Sequence, residues 1–292
     1  MPRFQWPDLP EAAREAIQRR FGAVHDAVSA EPGLTPGVAA HLTTPGGTVF
    51  LKAIPLRSPA LPHYLRELNA TTALPAGVPA PSLLWSGRAD GWLLLVFQHI
   101  PGARHADLTP GSADIPRVIA AVACMGEMLT PCPWPGAPDI TEKIDGMRRH
   151  AEPELGTGPA AEAFRALDLD AVRGSTLLHA DLHEGNLLIN SRGVHVIDWS
   201  LASQGAAWVD LALLAPRLVA AGHTPEQTET IMTQAPVWRT APAEAVTGLA
   251  AVSYAFSSAM ASRGPEDLRQ RRRRTADAAA AWLTHRLRGG RR

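Results

Sequence analysis

What most limits the fold of this chain is a change of pattern about a third of the way along its 292 residues. Early on, the apolar residues fall in short runs, Ala23 to Ala30, Val38 to Thr44 and Thr48 to Ile54, broken by the Gly/Pro-rich stretches Glu31 to Gly37 and Pro45 to Gly47. Such punctuation predicts an antiparallel meander after a short opening helix. A helix is predicted from about Leu61 to Leu74, where Leu61, Tyr64, Leu65 and Leu68 recur at helical spacing. Trp92 to Phe97, the longest apolar run, reads as a buried strand ended by Pro101-Gly102.

Beyond that point the period becomes helical, in Ile115 to Leu129, Ile140 to His150, Ala160 to Leu167, Asp210 to Ala221, Ala243 to Met260 and Pro265 to Leu287. One strand pair, near residues 176 to 198, interrupts the helices. The predicted class is α+β with two lobes: an antiparallel-sheet N-lobe over residues 1–98 and a larger, mainly helical C-lobe over 99–292.

Composition narrows the functions this architecture could carry. Hydrophobic residues make up 46% and charged residues 19%, far from the balance of a disordered chain. The formal net charge is zero, which argues against a nucleic-acid binder. Arg271 to Arg274 form the one basic run, and its place in a helical stretch makes it a solvated helix face. No apolar run is long enough to cross a bilayer and the first residues lack a secretory signal, so no membrane partner and a cytoplasmic location are expected. Cys124 and Cys132 are expected to be buried free thiols. Of the 28 Lys and Arg residues only Lys52 and Lys143 are lysines, so a lysine retained on a strand asks for an explanation.

The densest chemistry lies in residues 176 to 199. Two apolar runs flank Asn190 to Gly193, where Gly193 suits the positive φ of a three-residue hairpin loop. Folding there predicts that Asn186 and Asp198 lie opposite one another, with an amide oxygen and a carboxylate placed to share a Mg²⁺. Asp181 stands five residues before Asn186 in a polar loop, a carboxylate beside that metal site. Read one by one, the same residues are a polar loop capping nearby backbone. In the first third, Lys52 shares a strand face with Phe50 and Ile54, where a lone ammonium is costly, and Glu67 edges the apolar stripe of the next helix.

His179, Asp181 and Asn186 in His-x-Asp-x-x-x-x-Asn spacing, followed by Asp198, resemble the catalytic loop and metal aspartate of the aminoglycoside phosphotransferase family, within the kinase-like superfamily. The resemblance runs from about residue 23 to residue 222. It implies a protein-kinase-like fold and an ATP- or GTP-dependent phosphotransferase acting on a hydroxylated small molecule, with Mg²⁺. Asp181 is then the catalytic base, Asn186 and Asp198 the metal ligands, and His179 a buried scaffold of the loop. Lys52, paired with Glu67, would lie over the nucleotide phosphates. Gln98, His99 and Ile100 would meet its base, through the backbone carbonyl of Gln98 and the N–H of Ile100. The family's nucleotide-covering loop corresponds to Glu31 to Gly37, which lacks a Gly-x-Gly-x-x-Gly and carries two prolines. Asp210 matches the family's Asp-Leu-Ala element, as an N-cap or as a brace for the catalytic loop. His183 and Glu184 read as solvent or substrate-rim groups rather than catalysts. Lys143 receives no role, and its replacement is expected to matter little.

A protein kinase is the nearest rival, but only eleven residues separate Asp198 from Asp210 and no Ala-Pro-Glu follows. A non-catalytic nucleotide-binding module would be expected to have lost one of Lys52, Asp181, Asn186 or Asp198, and all are present. The acceptor stays open between an aminoglycoside or other antibiotic and a metabolite such as an amino alcohol or sugar. Asp139, Glu142, Asp145, Glu152, Glu154, Glu266 and Asp267 are the carboxylates available to a cationic one, although the tail from Arg286 is basic. A monomer or homodimer is expected.

Overall fold

A computed structural model describes residues 4–30, 36–152, 155–264 and 266–289, and the side chains of Asp267 and Arg271 fall outside that description. The chain divides into two units: Met1–Leu74 with Ala80–Ala103 and His195–Leu201, and Pro75–Pro79 with Arg104–Val194 and Ala202–Arg292.

In the first unit the predicted meander is present as β1 (Asp26–Ser29), β2 (Val38–Thr44) and β3 (Gly47–Pro55), after the helix α1 (Glu11–Phe21). The predicted second helix is α2 (Leu61–Ala73). Two further strands, β4 (Leu83–Ala89) and β5 (Trp92–Gln98), complete a five-stranded antiparallel sheet in the order β1-β2-β3-β5-β4. β4 is an element the sequence reading did not find. Asp90 and Gly91 join β4 to β5 with φ of +44° and +76°, the pair of positive values that matches a tight hairpin to the twist of its strands.

Period-two alternation sorts this sheet into two buried faces. Val49, Leu51 and Ala53 of β3 and Trp92, Leu94 and Val96 of β5 pack with Ala13 and Ile17 of α1. Ile54, Leu93, Leu95 and Phe97 turn to the other face, where Tyr64, Leu65 and Leu68 of α2 cover them. Burial on both faces is why β5 reads as a continuous apolar run. Lys52 points to the α2 face by register, opposite Ala39 of β2 and Leu95 of β5.

The second unit begins with β6 (Arg104–His105), followed by α3 (Asp114–Met128), α4 (Ile140–Ala151) and α5 (Pro159–Ala166). The strands β7 (Thr176–Leu178), β8 (Leu187–Asn190) and β9 (Gly193–Val196) follow, β9 carrying the chain out of this unit after Val194. β10 (Ser203–Gly205) then leads to α6 (Val209–Ala220), α7 (Pro225–Met232), α8 (Ala243–Ala261) and α9 (Glu266–Gly289). The predicted helices lie within a few residues of their expected bounds; α7, β6 and β10 are additions.

Strand pairing here differs from the simple expectation. β7 pairs antiparallel with β10, Leu178 opposite Ser203, while β8 lies between β6 and β9 in a separate three-stranded sheet. The β8–β9 connection is two residues, Ser191 and Arg192, rather than three, with Gly193 at φ +148°. α8 is buried nearly all round, through Val246, Leu249, Ala250, Ala251 and Val252 among others, and is the core helix of the unit. α9 packs with Ala276, Ala279, Trp282 and Leu283, and Glu229 of α7 receives the Trp282 indole N–H at 2.8 Å and Arg286 at 2.6 Å. Within the arginine run, Arg272 donates to the carbonyl of Arg263 at 2.8 Å, so part of it serves the end of α8. Cys124 and Cys132 are free thiols, half-buried rather than buried. Among the described residues no helix is long and apolar enough to cross a membrane.

Candidate active site

In the first unit, β3 delivers Lys52 into a space closed by α2 and by the turn after β9. Its Nζ lies 2.5 Å from Glu67 Oε2 and 3.2 Å from Asp198 Oδ1, and 5.4 Å from the centre of the Tyr64 ring. Tyr64, Glu67 and Ala70 are the buried positions of α2, spaced so that the carboxylate faces the sheet with the apolar stripe. Glu67 is 3% exposed and Lys52 14%, whereas Asp198 is 43% exposed. Burial works against the charged ammonium, but the Glu67 and Asp198 carboxylates outweigh it and hold Lys52 protonated above its ordinary range. Burial dominates at Glu67 instead, lifting its carboxyl to about 7 against the pull of Lys52. Asp198 has φ +63°, a left-handed backbone that turns the chain sharply after β9.

Gln98 is the last residue of β5, and His99 and Ile100 follow it. Gln98 is exposed and its N–H donates to the Ser82 carbonyl at 2.9 Å; His99 and Ile100 are half-buried. The His99 Nδ1 lies 3.2 Å from His41 Nδ1, and the His41 ring contacts Phe50, so three rings gather on the Lys52 face of the sheet. Burial, and then the His99 ring, pull His41 below the ordinary imidazole value. The sequence did not announce His41, because its partner is 58 residues away. Residues 31–35 of the proposed nucleotide-covering loop lie outside the described residues.

In the second unit, the loop leaving β7 is held chiefly through its own backbone. His179 is fully buried, as expected of a scaffold, and its Nδ1 accepts the Asp181 N–H at 3.3 Å. Ala180 takes φ +63°, which an L-residue adopts only where its surroundings enforce it. The enforcement comes from Asp210, whose buried carboxylate accepts the N–H of His179 at 2.9 Å and of Ala180 at 2.7 Å. Burial raises the Asp210 carboxyl above its ordinary value, opposed by His179 and by those two N–H groups. Asp210 sits inside the first turn of α6, whose cap position is Trp208, so it braces the loop and is not the helix cap.

Asn186 is buried and donates through Nδ2 to the Asp181 carbonyl at 2.9 Å. His183 caps the short turn Glu184–Asn186, its Nδ1 accepting the Gly185 N–H at 3.0 Å. That bond leaves the other ring nitrogen, Nε2, toward Asp181 Oδ2 at 3.8 Å. His183 therefore caps the loop while its ring stays partly exposed beside Asp181, and burial pulls it below the ordinary imidazole value while Asp181 opposes this. A Cβ on Gly185 would meet His183 Cε1 at 2.8 Å, so a larger residue there would have to displace that ring. Against this fixed frame the Asp181 side chain is 35% exposed. Lys143 of α4, left without a role by the sequence, donates from Nζ to the Ala180 carbonyl.

Of the carboxylates named for an acceptor, Asp139 binds Arg173 and caps α4, Asp145 binds Arg149, and Glu266 binds Arg269 and Arg273. Glu142 and Glu152 are exposed. Glu154 and the Asp267 side chain lie outside the described residues.

Comparison with known proteins brings these features into one frame. A family model described as the phosphotransferase enzyme family matches residues 37–243. A thiamine kinase of Salmonella gallinarum is 27% identical over 218 residues, which is 70% of each chain. Among solved structures, a spectinomycin phosphotransferase in complex with ADP and spectinomycin superposes with a TM-score of 0.63 at 11% identity, over 94% of this chain and 96% of that one. The choline kinase LicA from Streptococcus pneumoniae gives 0.59 at 14%, over 92% and 97%.

Proposed function

This chain belongs to the phosphotransferase enzyme family and is a small-molecule kinase with a hydroxyl acceptor, and we propose that Asp181 is the group that receives the acceptor's proton. The observation that carries this reading is the contrast inside one loop. His179, Asn186 and Asp210 are buried and spent on backbone atoms, whereas Asp181, whose own backbone they hold, presents a partly exposed carboxylate. A positioned base of this kind orients a hydroxyl and accepts its proton as the bond to phosphorus forms.

Asn186 and Asp198 are the residues that would hold Mg²⁺. Both offer hard oxygen donors, and the bond from Asn186 Nδ2 to the Asp181 carbonyl commits the amide nitrogen and reserves its oxygen for a ligand. The ion, when bound, supplies positive charge to the phosphate oxygens. Lys52, kept protonated by Glu67 and Asp198, is the cation for the nucleotide phosphates. The spent N–H of Gln98 supports its carbonyl, with the Ile100 N–H, as the groups that meet the base. ATP is the proposed donor and the cytoplasm the proposed compartment.

For the acceptor we favour a neutral or singly charged alcohol over a polycationic aminoglycoside. Asp139, Asp145 and Glu266 already carry arginines of this chain, and the related thiamine kinase is named for an acceptor with one primary hydroxyl. The test is a product screen by mass spectrometry with ATP and Mg²⁺, offering thiamine, choline, an amino alcohol and an aminoglycoside separately. Phosphorylation of one of the first three is the expected result. An aminoglycoside phosphorylated in preference to all of them would contradict it.

A further inference from the structure

Lys143 is one of two lysines in the chain, yet it stands on a helix, away from the strand that carries the other. Its stem is half-buried along α4, and its ammonium donates to the carbonyl of Ala180. That carbonyl belongs to the peptide group joining Ala180 to Asp181. Ala180 is 1% exposed and holds φ +63°, a backbone that an L-residue leaves readily unless it is held.

The holding comes from two helices with opposite charge. Asp210 of α6 takes the Ala180 N–H at 2.7 Å, and Lys143 of α4 takes the carbonyl of the same residue. On the far side of the peptide, His179 Nδ1 accepts the Asp181 N–H at 3.3 Å, and Asn186 donates to the Asp181 carbonyl at 2.9 Å. Each polar backbone atom of Ala180 and Asp181 thus has a partner. Lys143 is the only one of these partners that lies in neither the loop itself nor the family's Asp-Leu-Ala element. Rotation of the Ala180–Asp181 peptide would swing the Asp181 side chain, and the Lys143 bond opposes that rotation directly. A compact ammonium on a long stem suits one carbonyl, where a planar guanidinium fork is made for two acceptors.

We infer that Lys143 is a positioning residue for phosphoryl transfer, fixing the Ala180–Asp181 peptide so that the Asp181 carboxylate meets the acceptor oxygen. The inference rests on the reading of Asp181 as the base. Its test compares Lys143→Met, Lys143→Arg and Asp181→Asn with the parent as full-length chains. ADP release from ATP and Mg²⁺ is followed with thiamine present and, with water as acceptor, without it; thermal midpoints are recorded alongside.

Methionine keeps the apolar stem and removes the donor. Displacing a catalytic group by about 1 Å costs on the order of 10²-fold in rate. Lys143→Met should therefore lower kcat by about that factor, with the KM for ATP within about threefold of the parent's and the thermal midpoint little changed. Lys143→Arg, still a charged donor, should recover part of the rate. A Lys143→Met enzyme that turns over like the parent while Asp181→Asn is slow overturns the inference and spares the base. A rate loss matched by a lowered midpoint, or one confined to KM, also overturns it. If Asp181→Asn itself turns over like the parent, the base assignment fails and the positioning role falls with it.

Discussion

The Lys52 cluster of the first unit and the residue 179–186 loop of the second hold functional groups by different means. Around Lys52 the partners are ionisable side chains, two carboxyl groups against one ammonium in a largely buried space. Around Asp181 they are mostly backbone N–H and C=O groups gripped by His179, Asn186, Asp210 and Lys143, while the carboxylate itself is left partly exposed. A charge held by charges can be reorganised when another charged molecule arrives, since its partners are exchangeable. A carboxylate held through its own peptide keeps its direction whatever binds beside it. The first arrangement suits a group that meets phosphates, the second a group that must be aimed.

The difference implies unequal responses to substitution. The largest change in stability should come from Lys52→Met, which strands Glu67 without a cation; breaking a buried pair in this way costs about 3–5 kcal/mol. Burial has already raised Glu67 from 4.5 to about 7, and loss of the ammonium raises it further. The folded variant then binds a proton that the unfolded chain releases, so its stability should fall as pH rises above about 4.5. Chemical denaturation across pH would show this slope, and Lys52→Met with Glu67→Gln should remove most of it. A Lys52→Met protein as stable as the parent at pH 8 would mean that the pair is not held as charges.

The matching break in the second unit is Asp210→Ala. It strands the N–H groups of His179 and Ala180, at about 1–3 kcal/mol each, and frees Ala180 from its left-handed backbone. Turnover should suffer far more than nucleotide binding; equal losses in the two would argue against a local brace. Asp210→Asn keeps one acceptor oxygen and should be milder in both. Smaller again is Gly185→Ala, whose Cβ would press on His183 at 2.8 Å; overpacking of this kind costs about 1 kcal/mol. Here the turnover rate should drop while the KM for ATP holds, and a parent-like rate would show that the His183 ring yields freely.

The smallest effect is expected at His41. Burial and His99 keep its folded value below 6.5, so between that lowered value and 6.5 the unfolded chain binds more protons and stability falls as pH drops. Replacing His41 by Gln should flatten this slope just below pH 6.5. An unchanged slope would assign the titration elsewhere.

Much of this organisation was legible in residue order because it is local. β2, β3, α2 and β5 follow from alternation and helical spacing between breaks, and His179, Asp181, Asn186 and Asp198 fall within twenty residues. β4 was missed because it is a half-exposed edge strand whose second half, Ser86 to Arg88, is polar or glycine and breaks the apolar alternation of Leu83, Trp85 and Ala89. α7 was missed for want of apolar residues, although Thr224 and Gln227 form a capping box that marks its start. Lys143 and His41 were hidden for another reason. The partner of Lys143 is a backbone carbonyl 37 residues away, which leaves no side-chain signature, and only the scarcity of lysine pointed toward it. Asp210 could be read as cap or brace, and the choice needed the position of Trp208.

The most direct test of the central claim is Asp181→Asn, which keeps the shape of the side chain and removes its capacity to take a proton. Nucleotide affinity is measured by calorimetry with ATP and Mg²⁺, and product formation by mass spectrometry, with parent and variant in the same buffer and the best acceptor from the screen. Losing a positioned base costs about 10² to 10⁴ in rate. The expected result is therefore nearly unchanged affinity with product formation slowed by that range. Product formed at the parent's rate would contradict the assignment of Asp181.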